Sequence, residues 1–454
     1  MSFLFHPSLY RFDQAQPSYW EASAPEPNLS GEPLNGSQQC DIAIIGGGYT
    51  ALSAALHLAR DYHIDVRVLE AGHIGWGASG RNGGFCSMGS TKQSFARQIR
   101  NFGLEQTRYF WRWSAEAVEF VRALGQDEGI DYLAQGDGEY VVAESPKYFA
   151  GLCDEAEYMR REIGINVEVV SPDEFREQGY DAPHQHGAIL IRPTFGLHPL
   201  RYCQGLAKAA ERYGAKLHPH SRALRWHKDG STHILETELG ELRAPRVILT
   251  GNGFMPEYLH QGIAGRPLPY QSQIVVTRAM SEDERRERGW FTENPTINSK
   301  TNFFYYRILS DGRLLLGARG NPVGDPDGAE KTFTAMKQSI ARMWPRLANI
   351  EYEYQWRGLV CLAMNFRPSI GRMPEDPSIY FGYGYHGVGV STASKSGHEL
   401  AKWMAGPEAG DKLLPEHLPA IFRGRSPKFP LAFLRRQYLR AGLWYYRMRD
   451  RLSG

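Results

Sequence analysis

Residues 46–51 read GGGYTA, which places Gly46, Gly48 and Ala51 on a G-x-G-x-x-G/A frame. That spacing suits a pyrophosphate: the first glycine permits a tight turn, the second lets phosphate oxygens approach the backbone, and the small third residue lets helix and strand pack closely. Tyr49 and Thr50 would open the helix, whose free N–H groups and dipole favour an anion. Glu70 lies 22 residues past Gly48 and is followed by Ala71. A carboxylate at that distance accepts hydrogen bonds from ribose hydroxyls.

Two further glycine-rich stretches need a cause. GWGASGRNGG, residues 75–84, spends five of ten positions on glycine, and GYGYHGVGVS occupies residues 382–391. A nicotinamide cofactor needs only the first frame, whereas extended FAD needs contacts along its ribityl chain and ring. Gly77, Ala78, Ser79, Asn82, Gly83 and Gly84 are candidates for the first set of contacts. Arg81 could face phosphate, a reduced-flavin anion or substrate. Gly384, His386, Gly387, Val388 and Gly389 are candidates for the second set, where N–H donors beside the pyrimidine edge of the ring would stabilise negative charge.

The elements around these motifs follow from periodicity. A strand at 41–45, a helix carrying Leu52, Ala55, Leu56 and Ala59, and a strand VRVLE ending at Glu70 form a βαβ unit. Helical spacing recurs at 195–213 and 330–347, and 378–404 reads as strand, glycine turn, helix. VILTG is a second candidate for the parallel sheet. Residues 21–38 read as an extended leader. The β-like runs of 266–320 suggest a mostly antiparallel second domain, which 454 residues make the default expectation. In the tail, Leu431, Leu434, Tyr438, Ala441, Tyr445, Met448 and Leu452 share one helical face among six arginines. That face would dock on the protein itself, with an anionic membrane or a partner as the alternative.

Composition narrows the class. With 52 basic and 50 acidic residues there is no charge argument for nucleic acid. Five scattered cysteines without a CxxC argue for reduced thiols, for no zinc site, and with the absence of a signal-like N-terminus for a soluble cytoplasmic protein.

GGGYTA, EAGHIGWGASGRNGG, VILTGNGF, FYYR with GRLLLGARG, and GYHGVGVS before a helix together resemble the D-amino-acid-oxidase-like flavoproteins, and within them the gamma-glutamylputrescine oxidoreductase subgroup. The leader PSYWEASAPE and tail LWYYRMRDRL are similar to that subgroup's ends. The resemblance implies an α/β (α+β overall) chain, with a Rossmann-like FAD domain interleaved with an antiparallel-sheet substrate domain. Its expected divisions are a leader at 1–38, an FAD domain of 39–130, 195–255 and 355–410, a substrate domain of 131–194 and 256–354, and a basic tail at 411–454. Gly46, Gly48, Glu70, Ala78, Ser79, Thr250, Gly251, Gly387 and Val388 would line FAD by matching position, joined by Ala223 and Asn252. Ala51 stands where the subgroup has glycine. Cys361 does not fit the offset from Pro368 of a covalent flavin link, so non-covalent FAD is expected.

The chemistry implied is hydride transfer from the carbon beside a neutral amine to flavin N5, then imine hydrolysis to an aldehyde and reoxidation by O2 to H2O2. It demands geometry and desolvation more than a strong base. His386, Tyr305 and Arg307 are the catalytic candidates. Tyr305 and Arg307 share one strand face, and an arginine facing the flavin would read a substrate carboxylate; a boundary salt bridge is the alternative. Tyr270 and Trp356 could wall an amine pocket. The substrate expected is gamma-glutamylputrescine or a related polyamine or amino acid. Competing readings are a dehydrogenase delivering electrons to a quinone or carrier, and a flavin-stabilised binding protein without turnover.

Overall fold

The computed structural model describes residues 4–299, 303–406, 415 and 417–453. A six-stranded sheet carries the first motif, in the order Ser369–Arg372, Ile379–Tyr383, Arg246–Leu249, Ile42–Ile45, Val66–Leu69 and Lys216–His218. Its five inner and far strands pair in parallel, and only Ser369–Arg372 runs antiparallel at the edge. Ile42–Ile45 and Val66–Leu69 are buried at every position, as expected of parallel strands covered on both faces.

One covering layer is built from the helices Tyr49–Tyr62, Pro199–Arg212 and Val390–Ala405. Gly397 decides how closely two of them approach, because a Cβ there would lie 2.4 Å from the Thr50 carbonyl oxygen. Ala51, Ala54, Ala55 and Leu58 are fully buried in the same layer. Small residues allow this close approach, while each fully buried leucine adds roughly 1.5–3 kcal/mol of transfer free energy. The helices Phe95–Phe102 and Leu104–Asp127 also pack here; their spacing was not singled out from the sequence.

The second layer is an eight-stranded sheet ordered Tyr352–Ala363, Pro267–Thr277, Leu314–Arg319, Tyr305–Ile308, Thr296–Asn298, Glu139–Val142, Ala188–Arg192 and Asn166–Val170. All its pairings are antiparallel except that of Thr296–Asn298 with Glu139–Val142. The expected boundary at residue 355 falls inside Tyr352–Ala363. That strand pairs with Pro267–Thr277 almost along its length, so hydrogen bonding carries it into the antiparallel sheet. A four-stranded sheet joins Gly36–Gln39, Gly240–Ala244, Thr232–Glu236 and Arg225–Asp229.

The two chain ends differ from their expected form. The leader contains a short helix, Tyr19–Ser23, whose Trp20 is 1% exposed, and Gly36–Gln39 is a paired strand. The expected helix at 330–347 begins earlier, at Pro326, and ends at Met343. In the tail helix, Arg435–Ser453, the side against the protein carries Leu439 and Arg435; Leu431, Tyr438, Tyr445 and Met448 are exposed. Arg435 pairs with Glu257 at 2.9 Å and donates to the Pro267 carbonyl at 2.6 Å, so a polar anchor, not the longer apolar stripe, sets the docking face. Residues 407–414, 416 and 454 of the expected last two segments, and 300–302 of the substrate segment, lie outside the described residues. Among the described residues no helix is long and apolar enough to cross a membrane.

Candidate active site

A cavity of about 1060 Å³ opens where the parallel strands end and runs beneath the antiparallel sheet. Its first section is built by the GGGYTA turn. Gly46 holds φ +106°, a conformation that side chains rarely adopt, as the chain leaves Ile42–Ile45. Gly48 begins the helix Tyr49–Tyr62 without any side-chain cap, which leaves first-turn N–H groups for an anion. Among the described residues, Tyr49 N–H alone of these is taken, by Ser79 Oγ at 3.1 Å. Ala51 sits in the helix core and does not line the cavity.

Glu70 lines the same section. Its carboxylate accepts N–H groups from Gly47 at 2.5 Å and Gly72 at 2.9 Å, which fix its orientation and leave lone pairs for ribose hydroxyls. Burial nevertheless pushes its pKa up. Ala71, Ala223, Thr250, Gly251 and Asn252 continue the wall, with Thr250 Oγ1 donating to the Ile45 carbonyl at 2.9 Å.

The 75–84 run folds into a tight hairpin-like loop around a short helical turn, Ala78–Gly80. Asn82 closes it: Nδ2 donates to the Ala78 and Ser79 carbonyls at 3.1 and 3.0 Å, and Oδ1 accepts Gly84 N–H at 2.8 Å. The leader locks it from outside. Trp20 Nε1 donates to the Asn82 carbonyl and Trp76 Nε1 to the Gln14 carbonyl, at 2.8 and 2.7 Å. Gly77, Ala78, Ser79, Arg81, Asn82 and Gly83 line the cavity, but Gly84 does not; at φ +73° its Cβ would fall 2.0 Å from the Leu197 carbonyl oxygen. Arg81 is 5% exposed and stacks on Trp76, its guanidinium carbon 3.8 Å from the ring centroid. Its Nη2 has no hydrogen-bond partner among the described residues, and burial lowers its pKa to about 9.

The late glycine turn forms the opposite wall. Gly384 at φ +78° donates its N–H to Asn252 Oδ1 at 2.9 Å and lies just behind the lining, while His386, Gly387, Val388 and Gly389 face the cavity. The helix Val390–Ala405 starts at Gly389 with no side-chain cap, so a second helix N-terminus points here. His386 is 1% exposed and holds φ +55°. Neither ring nitrogen makes a hydrogen bond of normal geometry within the described residues, the Arg367 backbone only approaching the ring. Burial, with the nearby Lys92 charge, lowers its pKa to about 3, so the ring is neutral.

Tyr305, Tyr270 and Trp356 all line the section under the antiparallel sheet. Tyr305 hydroxyl bonds Ser272 Oγ at 2.8 Å, and its ring lies edge-on to Phe85. Gly317 and Gly83 flank that ring so closely that a Cβ would meet it at 1.9 and 2.8 Å. Trp356 Nε1 donates to the Arg81 carbonyl at 2.8 Å, tying the strand to the glycine loop. Arg307 is a correction. It shares Tyr305's strand face but lies behind the loop, donating to the Gly83 and Leu197 carbonyls at 3.1 and 2.6 Å and to Gln135 at 3.1 Å. Among the described residues it does not line the cavity and makes no boundary salt bridge; three neutral acceptors and the Trp20 ring satisfy it.

Several cavity residues went unnoticed in the sequence: Ser87, Lys92, Glu139, Phe254 and Phe303. Lys92 is a single cation eight residues beyond the glycine run, and Glu139 a single acid on an alternating strand. Nothing local distinguishes either from a solvated charge. Orphaned polar atoms of Arg81 and His386 beside an open channel, with two uncapped helix ends, suit a bound group carrying phosphates and a polar ring. No cysteine lines the cavity among the described residues; Cys361 is fully buried in the core behind it.

A parallel sheet whose glycine turn, uncapped helix and carboxylate open into a chamber roofed by an antiparallel sheet defines a dinucleotide-binding fold. Residues 41–403 match the FAD dependent oxidoreductase family, DAO, and the chain belongs to it. It is 30% identical over 446 residues to gamma-glutamylputrescine oxidoreductase of Escherichia coli (strain K12), covering 96% of this chain and 98% of that protein. Glycine oxidase from Geobacillus kaustophilus shares the fold with a TM-score of 0.66 at 21% identity, over 80% of this chain and 94% of that one. L-proline dehydrogenase from P. horikoshii does so with a TM-score of 0.67 at 19% identity, over 83% and 96%. The protein is thus an FAD-dependent oxidoreductase.

Proposed function

We propose that this enzyme oxidises an amine at non-covalent FAD, releasing an aldehyde or keto product after imine hydrolysis, with O2 as the electron acceptor. The single observation that carries this reading is the continuity of the cavity, which joins the Glu70 end to an aromatic chamber beside His386. When bound, FAD supplies a two-electron acceptor for the C–H bond next to the amine nitrogen. Gly46, Gly48 and Glu70 would hold its adenosine and phosphate half. The loop 77–83 and the turn 386–389 would hold the other half.

The chain's own part is positioning and desolvation. Tyr270, Tyr305 and Trp356 form apolar walls with ring faces, which favour the neutral amine's carbon chain and exclude bulk water. His386, kept neutral by burial, offers a ring nitrogen without adding positive charge beside the reacting carbon. The likeness to a gamma-glutamylputrescine oxidoreductase along nearly the whole chain supports a gamma-glutamylated diamine as substrate.

Anaerobic mixing of the flavin-loaded enzyme with putrescine, gamma-glutamylputrescine, sarcosine, glycine and D-amino acids tests the reading. Bleaching by the gamma-glutamyl amine is expected, and bleaching by amino acids alone would overturn it. Stoichiometric H2O2 under air is expected of an oxidase; its absence, with rapid reduction of a quinone analogue, would make the enzyme a dehydrogenase.

A further inference from the structure

The chamber contains two charged groups that the reaction itself does not use. Lys92 is exposed and is one of the residues lining the cavity. Its backbone is fixed by the Phe366 carbonyl, which accepts Lys92 N–H at 3.0 Å, and by Gln93, whose Nε2 donates to the Asn365 carbonyl at 2.7 Å. Among the described residues no carboxylate forms an ion pair with its ammonium, and its other near neighbours are the Phe303 ring, 5.6 Å from Nζ, and the charge of Arg319. Glu139 faces the same chamber from the strand Glu139–Val142, opposite Ile191 in register, and its carboxylate accepts the Ser87 hydroxyl.

The Lys92 ammonium and the Glu139 carboxylate feel each other's charge across the chamber without forming an ion pair among the described residues, so each keeps polar capacity turned toward a ligand. Desolvation makes that costly for both: Lys92 is lowered to about 8 and Glu139 raised to about 7. A ligand carrying the opposite arrangement of charges relieves both at once, whereas a simple diamine would meet Lys92 with repulsion.

We propose that Lys92 and Glu139 form a recognition site for a zwitterionic end of the substrate, Lys92 binding its carboxylate and Glu139 its ammonium. The enzyme therefore selects amines that carry an α-amino-acid head over plain mono- and diamines. This rests on the amine-oxidising reading for its substrate and deepens it; the site itself can be tested without turnover.

The test uses flavin-loaded wild type, Lys92→Met and Glu139→Gln, each checked for unchanged flavin content and melting temperature. Anaerobic titration calorimetry with gamma-glutamylbutylamide, which keeps the zwitterionic head and lacks the terminal amine, reads the site directly, with the flavin spectrum checked for the absence of bleaching. Wild type should bind it, and each variant should bind about ten- to a hundredfold more weakly, as loss of a charge-assisted contact implies. With the glutaryl analogue, which lacks the ammonium, Glu139→Gln should match wild type and Lys92→Met should still be impaired. In turnover, KM for gamma-glutamylputrescine should rise in both variants with kcat little changed, and KM for N-acetylputrescine should stay the same. No binding by wild type, or equal affinity in wild type and Lys92→Met, overturns the proposal. So does a Lys92→Met enzyme with wild-type affinity and slowed reoxidation by O2, which would make Lys92 an oxygen-handling residue. If no amine bleaches the flavin, the amine reading fails while the calorimetry still decides the site.

Discussion

Glu70 and His386 show what burial does to single groups. Both Glu70 oxygens are engaged by backbone N–H groups that stay in place whether or not a ribose is present, so its alignment is built before any ligand arrives. Glu70→Ala removes the acceptor for Gly47 and Gly72 together with the ribose contact. Fluorescence titration of the apoprotein with FAD should then give an affinity at least about tenfold weaker, corresponding to roughly 1.5–3 kcal/mol for hydrogen bonds to a charged group. His386 is the reverse case, a group whose charge is removed. With its pKa lowered to about 3, it is deprotonated at every pH above that, so it does not titrate between pH 5 and 9. The activity rise with pH that a neutral amine requires should therefore persist in His386→Asn, whatever happens to the maximal rate. Disappearance of the acid limb of the kcat/KM profile in that variant would place the titration on the histidine.

At the scale of elements, the loop 75–84 is held from three sides. Trp20 of the leader and, from two strands of the antiparallel sheet, Trp356 and Arg307 each donate to a carbonyl of this loop. The expected catalytic arginine is in this respect a clamp. Its type was legible in the sequence, and so was the face it shares with Tyr305; its depth was not, because strand alternation gives a direction and no distance. Gly84 measures how tightly the loop is held. Gly84→Ala places a Cβ against the Leu197 carbonyl and strains φ, whereas Gly103→Ala at φ +82° has nothing within 4 Å and pays only for the backbone. Chemical denaturation should show Gly103→Ala costing about 1–3 kcal/mol for its backbone conformation alone and Gly84→Ala distinctly more. Equal losses would mean that the loop gives way at little cost.

At the scale of the whole molecule, the cavity lies between two layers, and leader and tail border it together: Leu4, Tyr10 and Phe12 of the leader and Phe433 and Arg436 of the tail line it, with Arg436 donating to the Leu4 carbonyl at 3.4 Å. A group bound along this channel touches both layers and so couples their unfolding. Saturating FAD at a hundred times its dissociation constant should stabilise the apoprotein by about 2.7 kcal/mol. Calorimetry should show a single transition moving upward with FAD concentration; two transitions, of which only one moves, would mean that the layers unfold separately. The βαβ unit, the glycine frame, Glu70 and the late turn before Val390–Ala405 were all fixed by sequence alone, because each depends on contacts within a few dozen residues and on backbone conformations that only particular residue types allow. The course of Tyr352–Ala363 into the antiparallel sheet, the retreat of Arg307 behind the loop, the docking face of the tail and the meeting of Lys92 with Glu139 were decided only by tertiary structure. Each of these joins segments far apart in the chain, and whether a charge ends in solvent, in a clamp or in a cavity depends on what the fold brings opposite it.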